Sequence, residues 1–310
     1  MAILVCGSLA YDTIMVFPDR FENHILPDKI HILNVAFLVP DLRREYGGTA
    51  GNIAYNLRLL DEDAIVMGTV GHDFGPYEQR MRELGLPLEH VRSLDDQFTA
   101  QAFITTDVND NQITAFHPGA MSFAHLNRVA DVPNVQLAIV SPDGRQGMLE
   151  HSRDLAAQGI AHVFDPGQGL PMFSGPELEE MIGRASVLAV NDYEAAIVEE
   201  KTGRGIAELA RTTRAVFITH GSAGCVVLSD GGEEVVPAVA ADSLVDPTGC
   251  GDAFRAGVLY GMARSWEWRK CAQLGAVMGS IKIEHRGGQN HRPTREMIEG
   301  KFREAFAEAM

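Results

Sequence analysis

The feature that most constrains the fold of this chain is the alternation of short apolar runs with longer segments of helical periodicity. Each run is four or five residues long and is bounded by turn residues, as expected of a strand buried on both faces. Such alternation favours a parallel sheet with helices on both sides, whose ligands bind beyond the carboxyl ends of the strands. The runs are Ala2–Cys6, Ala64–Met67, Leu137–Val140, Ala161–Phe164, Val187–Val190 and Ala215–Thr219, and the helical segments are Asn52–Leu60, Tyr77–Leu84, Met148–Gln158, Glu177–Arg184 and Tyr193–Lys201.

Two segments, at residues about 14–45 and about 98–118, interrupt this alternation with alternating apolar and polar residues and no helical stripe. The second has turn residues at Asp110–Asn111, which predicts a hairpin. Together the two segments predict a small antiparallel sheet outside the main layers, with the role of a lid. A further hairpin is predicted from the strand patterns at Cys225–Leu228 and Glu234–Val236.

Charge and cysteine usage exclude several classes of function. The chain has 26 Lys and Arg against 42 Asp and Glu, a net charge of −16, and so lacks the basic surface that nucleic acids and anionic membranes require. Its four cysteines show no paired or metal-ligand spacing, which is typical of a reducing cytoplasm. No apolar run is long enough to span a membrane. We therefore expect a single cytoplasmic α/β domain over residues 1–310, with no nucleic-acid or membrane partner.

The segment with the clearest chemistry is DPTGCGD at residues 246–252, which three apolar residues follow at helical spacing. A helix is therefore predicted to begin near Gly251. Its N-terminus is an anion site if the amides of Gly249, Cys250 and Gly251 converge there, because the helix dipole and the unpaired amides both favour an anion. Asp252 either compensates the helix dipole or, beside a bound phosphate, accepts a proton from an attacking hydroxyl.

The sequence DPTGCGD followed by AFRAG resembles the signature of the ribokinase-type (PfkB) carbohydrate kinases. Taken singly, the other matching residues also suit turns or helix caps, but they occur in the order of this family. The resemblance implies a ribokinase-like three-layer α/β/α fold with a mainly parallel central sheet and a small antiparallel β lid. The matching elements are Asp12 after the first strand, the glycine signature with Gly48 and Asn52, the NDYE segment at Asn191–Glu194, and Thr219, Gly221 and Gly224.

For the acceptor of the phosphoryl group, the resemblance implies that Asp12 and Asn52 hold hydroxyl groups and that Gly48 allows close approach of the backbone. Asp252 would be the catalytic base that takes the proton from the attacking hydroxyl. The amides of residues 249–251 would stabilise the negative charge of the transferred group.

For the phosphate donor, the resemblance implies that ATP lies against Thr219, Gly221, Gly224 and Asn191. Asn191 and Glu194 would influence Mg²⁺ indirectly, through water. Potassium near the anion loop is a further property of the family, and the residues themselves do not indicate it.

The sequence FHPGAM, which begins at Phe116, resembles a lid segment of bacterial adenosine kinases and broad-specificity nucleoside kinases in this family. It implies that Phe116 stacks on a nucleobase, although packing within the lid explains it equally well; Phe37 and Phe103 are weaker candidates. The segment Gly287-Gly288-Gln289 resembles one that lies beside the adenine site in the family. The implied reaction is phosphorylation of the 5′-hydroxyl of a nucleoside by ATP, with adenosine or another purine nucleoside as acceptor.

Two other interpretations remain open. The first is a sugar kinase of the same family that acts on ribose, fructose or a related sugar. The second is a non-catalytic regulator that binds a nucleoside or nucleotide on the same fold. A dinucleotide-dependent dehydrogenase is disfavoured because no GxGxxG follows the first strand. Family members of this kind are expected as monomers or homodimers.

Overall fold

The computed structural model describes residues 2–25, 31–32, 34–109 and 111–310. Its strands are β1 (Ile3–Cys6), β2 (Ala10–Val16), β3 (Asp41–Gly47), β4 (Ala64–Gly71), β5 (Val91–Leu94), β6 (Ala100–Thr106), β7 (Gln112–His117), β8 (Leu137–Val140), β9 (Ala161–Phe164), β10 (Val187–Asn191), β11 (Ala215–Thr219), β12 (Cys225–Ser229) and β13 (Gly232–Val236). Its α-helices are α1 (Thr49–Leu59), α2 (Gly75–Glu83), α3 (Arg145–Ala157), α4 (Gly175–Arg184), α5 (Asp192–Thr202), α6 (Ile206–Leu209), α7 (Cys250–Ala263), α8 (Trp268–Ile283) and α9 (Arg295–Phe306).

The main sheet of the described residues has nine strands in the order β13-β12-β11-β10-β9-β8-β1-β4-β5. All neighbours from β11 to β5 are parallel, which confirms the mainly parallel sheet expected from the apolar runs. Strands β12 and β13 form the predicted second hairpin and extend one edge of this sheet in antiparallel fashion.

Alternate residues of the central strand β1 pack into two separate cores, which makes the fold three-layered. Ile3 and Val5 pack with residues of α1, α2, α7 and α8 on one face of the sheet. Leu4 and Cys6 pack with residues of α3, α4 and α5 on the other face. Because both faces are covered, all four residues of β1 are buried, as their uninterrupted apolar run predicted.

The lid is a separate four-stranded sheet in the order β3-β2-β6-β7. Its outer pairs are antiparallel, as predicted, whereas β2 and β6 run parallel in the middle. The parallel pair arises because a long crossover through α1, β4, α2 and β5, instead of a tight turn, joins these two strands. Strand β2 begins at Ala10, before the predicted segment. Residues 26–30 and 33 of that segment, and Asp110 of the predicted turn, lie outside the described residues.

The end of the main sheet that faces the lid carries the carboxyl termini of its parallel strands. Asp143, Asp165 and Asn191 follow or end three of those strands, β8, β9 and β10. Ligand sites of open α/β sheets lie at this end. None of the helices in the described ranges is long and apolar enough to cross a lipid bilayer.

Candidate active site

A cleft of about 1710 Å³ opens between the lid sheet and the carboxyl ends of the main-sheet strands. Pockets for one small ligand usually measure about 300–1,000 Å³, so this cleft has room for two substrates. All thirteen of the main site residues predicted from the sequence line it, whereas the weaker candidates Phe37 and Phe103 do not. The thirteen are Asp12, Gly48, Asn52, Phe116, Asn191, Glu194, Thr219, Gly221, Gly224, Gly249, Cys250, Gly251 and Asp252.

The anion loop ends at the N-terminus of α7, which begins at Cys250, one residue before its predicted start. Gly249 caps the helix with φ +78°, a left-handed conformation that favours glycine. The Cys250 amide donates to the Pro247 carbonyl at 3.1 Å, so the prediction that three loop amides converge on an anion is wrong for Cys250. Among the described residues the amides of Gly249 and Gly251 have no hydrogen-bond acceptor, so both remain available to an anion at the positive end of the helix dipole.

The thiol of Cys250 is a poor nucleophile in this setting. Burial raises its pKa to about 11, and the carboxylates of Asp246 and Asp252 add to the increase. The thiolate is the reactive form of cysteine. Labelling of Cys250 at neutral pH should therefore be slow, although the residue borders the cleft.

The carboxylate of Asp252 lies in the first turn of α7, where its Oδ2 accepts a hydrogen bond from Asn52 Nδ2 at 2.8 Å. Burial raises the pKa of Asp252 to about 7, and the hydrogen bond from Asn52 limits the rise. The nearby carboxylate of Asp165 raises this pKa further, and the Arg255 guanidinium opposes it. A pKa near neutrality suits a general base.

Arg255 lies one helical turn beyond the candidate base and forms a buried ion pair that the sequence analysis missed. Its Nε and Nη2 donate to the two carboxylate oxygens of Asp165 at 2.7 and 3.1 Å. The Nη1 atom donates to the carbonyl of Gly251 at 3.3 Å, and Glu194 lies 3.7 Å from Nη2. The pair anchors α7 to the end of β9. The sequence shows this arginine in the segment AFRAG, but nothing in the sequence links it to a carboxylate 90 positions away.

A chain of buried polar groups holds the Asn52 side chain from behind. Asn52 Oδ1 accepts from Gln289 Nε2 at 3.2 Å, and the same amide donates to the Tyr77 hydroxyl oxygen at 2.5 Å. The Tyr77 hydroxyl in turn donates to the Gly47 carbonyl at 2.8 Å. The prediction that segment 287–289 borders an adenine site is wrong for Gln289, which is buried and supports Asn52.

Across the lid, Asp12, Ala102 and Phe116 lie side by side in register on β2, β6 and β7. All three line the cleft, and Phe116 is 48% exposed to it. Burial raises the pKa of Asp12 to about 6, with Asp246 and Glu45 adding to the rise. The arrangement places a carboxylate and an aromatic face on either side of a small residue.

The two weaker aromatic candidates do not line this cleft. Phe37 packs against Phe17 and Phe21, with ring centroids 4.8 and 5.0 Å away. Phe103 follows Ala102 on β6, so its side chain leaves the opposite face of the lid sheet.

Gly48 lines the cleft and also makes a close approach to protein backbone. Its φ is +83°, and a Cβ at this position would lie 2.5–2.8 Å from backbone atoms of Ser8, Leu9 and Ala10. The glycine therefore lets the chain that leaves β3 pass directly over the segment between β1 and β2. This crossing brings Asn52 of α1 next to the lid.

At the other end of the cleft, Thr219 ends β11 and the turn at residues 221–224 follows. Gly221 and Gly224 have φ of +55° and +99°, and a Cβ at Gly224 would lie 2.2 Å from the Val236 carbonyl oxygen. Small residues from the segment after β13 and from α8 line a slot in the same cleft, and no sequence motif predicted them. They are Ala238, Ala240, Ala241, Gly275, Ala276 and Gly279.

Asn191 and Glu194 form a reciprocal cap at the start of α5. Asn191 Oδ1 accepts from the Glu194 amide at 2.7 Å, and Glu194 Oε2 accepts from the Asn191 amide at 2.8 Å. No cluster of three potential metal-ligating side chains occurs in the part of the chain that the structure describes. Of this pair only Glu194 has a carboxylate, so the pair fits an Mg²⁺ ion that keeps most of its water and is held chiefly by substrate phosphates.

Asp143 is a further cleft residue that the sequence analysis missed. Its side chain is buried at the end of β8, with Oδ1 accepting from the Gly144 amide at 2.8 Å. Oδ2 has no partner among the described residues, and burial raises the pKa of Asp143 to about 8. Burial therefore favours the protonated, uncharged form of this carboxyl group.

Comparisons with known proteins agree with this geometry. Residues 9–295 match the model of the pfkB family carbohydrate kinases. The nucleoside kinase of Methanocaldococcus jannaschii is 30% identical over 271 residues, which cover 86% of this chain and 88% of that protein. A structure of Burkholderia thailandensis nucleoside kinase in complex with inosine is 50% identical, covers 99% of both chains and superposes with a TM-score of 0.91. A second structure of that enzyme, in complex with ADP-inosine, is 51% identical, covers 99% of this chain and 97% of that chain, and superposes with a TM-score of 0.88. The resemblance drawn from residues 246–252 is thus confirmed, and the chain belongs to the pfkB family of carbohydrate kinases.

Proposed function

We propose that this protein transfers the γ-phosphoryl group of ATP to the 5′-hydroxyl of a nucleoside, with a purine nucleoside as the preferred acceptor. The observation that carries the proposal is the position of Asp252. Its carboxylate, with a pKa of about 7, lines the same cleft as the N-terminus of α7 and the lid row, which consists of Asp12, Ala102 and Phe116. The 50% identity to a nucleoside kinase whose structures hold inosine and ADP-inosine supports the choice of acceptor.

At the acceptor end, the Asp12 carboxylate accepts hydrogen bonds from sugar hydroxyls, and Phe116 offers an aromatic face to the base. The Asn52 side chain bonds to Asp252 at 2.8 Å and so sets the direction of its carboxylate. The 5′-oxygen attacks the γ-phosphorus, the bond from that phosphorus to the β–γ bridging oxygen breaks, and ADP leaves. The proton of the 5′-hydroxyl passes to Asp252.

At the donor end, the free amides of Gly249 and Gly251 face the developing negative charge of the transferred group. ATP lies against Thr219, the glycine turn that follows it and Asn191, with its adenine in the slot lined by small residues. When bound, Mg²⁺ would neutralise the polyphosphate, with Glu194 contacting its water shell. The four unpaired cysteines agree with the cytoplasm as the proposed location.

The test is ADP release with Mg-ATP and each of six acceptors: adenosine, inosine, guanosine, cytidine, ribose and fructose. We expect turnover with the nucleosides, fastest with the purines, and a product that phosphorus NMR identifies as the 5′-monophosphate. A preference for ribose or fructose would overturn the assignment of the lid row and favour a sugar kinase. Nucleoside binding by calorimetry without turnover of any acceptor would favour a non-catalytic regulator.

A matched pair of lid variants tests the role of the aromatic face. Phe116→Ala should raise KM for inosine, because the base loses its stacking surface, worth about 1 kcal/mol or about fivefold. Phe103→Ala, on the opposite face of the same sheet, should leave KM unchanged. Equal effects of the two substitutions would show that Phe116 acts through lid stability.

A further inference from the structure

Beside the anion loop lies a cation without a carboxylate partner. Lys282, in the last turn of α8, is completely buried at 0% exposure. Its Nζ donates to the carbonyl oxygens of Asp246 at 2.7 Å and His285 at 2.9 Å. No carboxylate oxygen of the described residues lies within 4.0 Å of this nitrogen. Burial of an ammonium group without an ion pair is unfavourable, so the position of Lys282 requires an explanation.

The two carbonyl acceptors belong to the two segments that shape the candidate anion site. Asp246 starts the anion loop, and its carboxylate accepts from the amides of Thr248 at 2.9 Å and Gly287 at 2.8 Å. His285 starts the turn after α8, which continues to Gly288 and Gln289. A Cβ built on Gly249 would lie 3.1 Å from the Gly288 Cα. Lys282 thus ties the anion loop to the turn that packs against it.

The ammonium also places positive charge near the anion site. Burial lowers the pKa of Lys282, and negative groups at the loop, Asp246 and Asp252 among them, oppose that fall. Both of its partners are carbonyl oxygens, which require N–H donors. Backbone carbonyls are also the groups that proteins use to hold potassium. A potassium ion does not fit at these two oxygens, because the ammonium already occupies them.

We propose that the Lys282 ammonium acts as a built-in monovalent cation, which positions the anion loop and makes potassium unnecessary there. Lys282 is a positioning residue, since it acts through the Asp246 carbonyl and does not touch the reacting atoms. The catalytic part of this inference rests on the proposed kinase function, whereas the nucleotide-binding part does not. In this proposal the Lys282 ammonium takes the place of the potassium that the family resemblance led us to expect near the anion loop.

The chain offers a matched control in Lys201. This partly buried lysine also donates to two backbone carbonyls, those of Phe173 at 2.7 Å and Pro171 at 3.3 Å. It lies at the end of α5 and does not line the cleft. Lys201→Met therefore serves as the control: it removes a lysine that binds two backbone carbonyls but lies away from the cleft.

The first experiment measures inosine phosphorylation and ADP affinity in potassium, sodium and tetramethylammonium chloride. We expect the wild-type kcat and the ADP Kd from calorimetry to be the same in all three salts. A wild-type protein whose kcat or ADP affinity requires potassium would overturn the proposal. The ADP arm gives a result even if no nucleoside is phosphorylated, so failure of the kinase assignment is distinguishable from failure of this inference.

The second experiment compares variants. Lys282→Met should lower kcat about 100-fold with little change in the inosine KM, because a displaced loop misplaces the transferred group. Lys282→Ala leaves space, so potassium or methylammonium, but not tetramethylammonium, should restore part of its kcat and of its ADP affinity. Lys201→Met should change only the melting temperature. Two results would show that Lys282 has only a structural role. One is that its variants change only the melting temperature, as the control does. The other is that added cations do not raise the kcat or the ADP affinity of Lys282→Ala.

Discussion

At the scale of single residues, Asp252 illustrates how a first-turn helix acid becomes a base. The same position near a helix N-terminus ordinarily lowers the pKa of a carboxyl group. Here burial, with the carboxylates of Asp165 and Asp12 nearby, outweighs the Asn52 hydrogen bond and the Arg255 charge, and the pKa rises to about 7. The motif located Asp252, but its basicity depends on residues distant in sequence.

Removing the basic oxygen of Asp252 should abolish most of the turnover. We expect Asp252→Asn to lower kcat by about 10²–10⁴-fold, because the amide cannot accept the 5′-hydroxyl proton. The ADP Kd from calorimetry should stay close to the wild-type value. As a control, Asp230→Asn in the exposed turn between β12 and β13 should leave kcat unchanged. Near-wild-type turnover by Asp252→Asn would remove the residue from the role of base.

The pH dependence of the reaction follows from two raised pKa values. Asp252 (pKa about 7) and Asp12 (pKa about 6) must both be ionised to accept hydrogens. Log kcat/KM for inosine should therefore rise with pH, with a slope of about two below pH 6 and about one up to pH 7. Initial rates from about pH 5 to about pH 9 measure this. A flat profile between pH 6 and pH 8 would contradict it.

Other site residues carry no local signature. Asp143 and Lys282 look in the sequence like an ordinary turn residue and an ordinary helix-end lysine. Their importance comes from burial and from partners on other elements, such as the Asp246 carbonyl for Lys282. A motif describes residues that are close in sequence, so these two were not predictable from the sequence.

At the scale of elements, the ends of helices were harder to predict than their presence. Helix α1 begins at Thr49, three residues before the predicted Asn52, because small residues follow the Gly48 cap and give no apolar stripe. Helix α8 was not predicted. It packs on several sides, so buried residues occur all around it, including the consecutive run from Cys271 to Gly275. Five strands of the main sheet, β1, β8, β9, β10 and β11, were predicted to within one residue, because burial on both faces gives continuous apolar runs. Strand β4 continues four residues beyond the predicted end at Met67, and the partly exposed edge strand β5 was not predicted.

The ion pair that joins α7 to β9 should matter for stability. Arg255→Met leaves the Asp165 carboxylate buried without its cation, so we expect a loss of about 3–5 kcal/mol in the free energy of unfolding. Urea denaturation followed by circular dichroism measures this loss. The double variant Arg255→Met with Asp165→Asn should recover part of it, because the more distant Glu194, 3.7 Å from the guanidinium, is then the carboxylate that loses its cation. A single variant as stable as the wild type would mean that water reaches Asp165 and solvates it.

At the scale of the whole molecule, the lid and the main sheet contribute opposite walls of one cleft. The three-layer architecture followed from the order of strands and helices along the chain. The parallel pairing of β2 with β6 did not, because it depends on how a crossover of some 80 residues returns to the lid. The two walls meet at the segment where Gly48 passes over the chain between β1 and β2.

Hydrogen exchange should separate the two halves of this cleft. Inosine alone should slow exchange in β2, β6 and β7, because its base and sugar cover the row formed by Asp12, Ala102 and Phe116. ADP alone should slow exchange at residues 219–224 and at the start of α7. Mass spectrometry of peptides after exchange in each ligand checks the pattern, with ribose as a control for the sugar alone. Equal protection of both regions by inosine alone would contradict this division.

The hydrogen bond between Asn52 and Gln289 has a consequence for synthesis of the protein. The two residues are 237 positions apart, and a ribosome adds about 5–20 residues per second, so on the order of 10–50 seconds separate their translation. During this interval the nascent chain already holds Asp12, Asn52 and later Asp252, but not the side chains that fix their geometry. The enzyme should therefore acquire activity only after Gln289 has been translated and its segment has folded back onto the first helix.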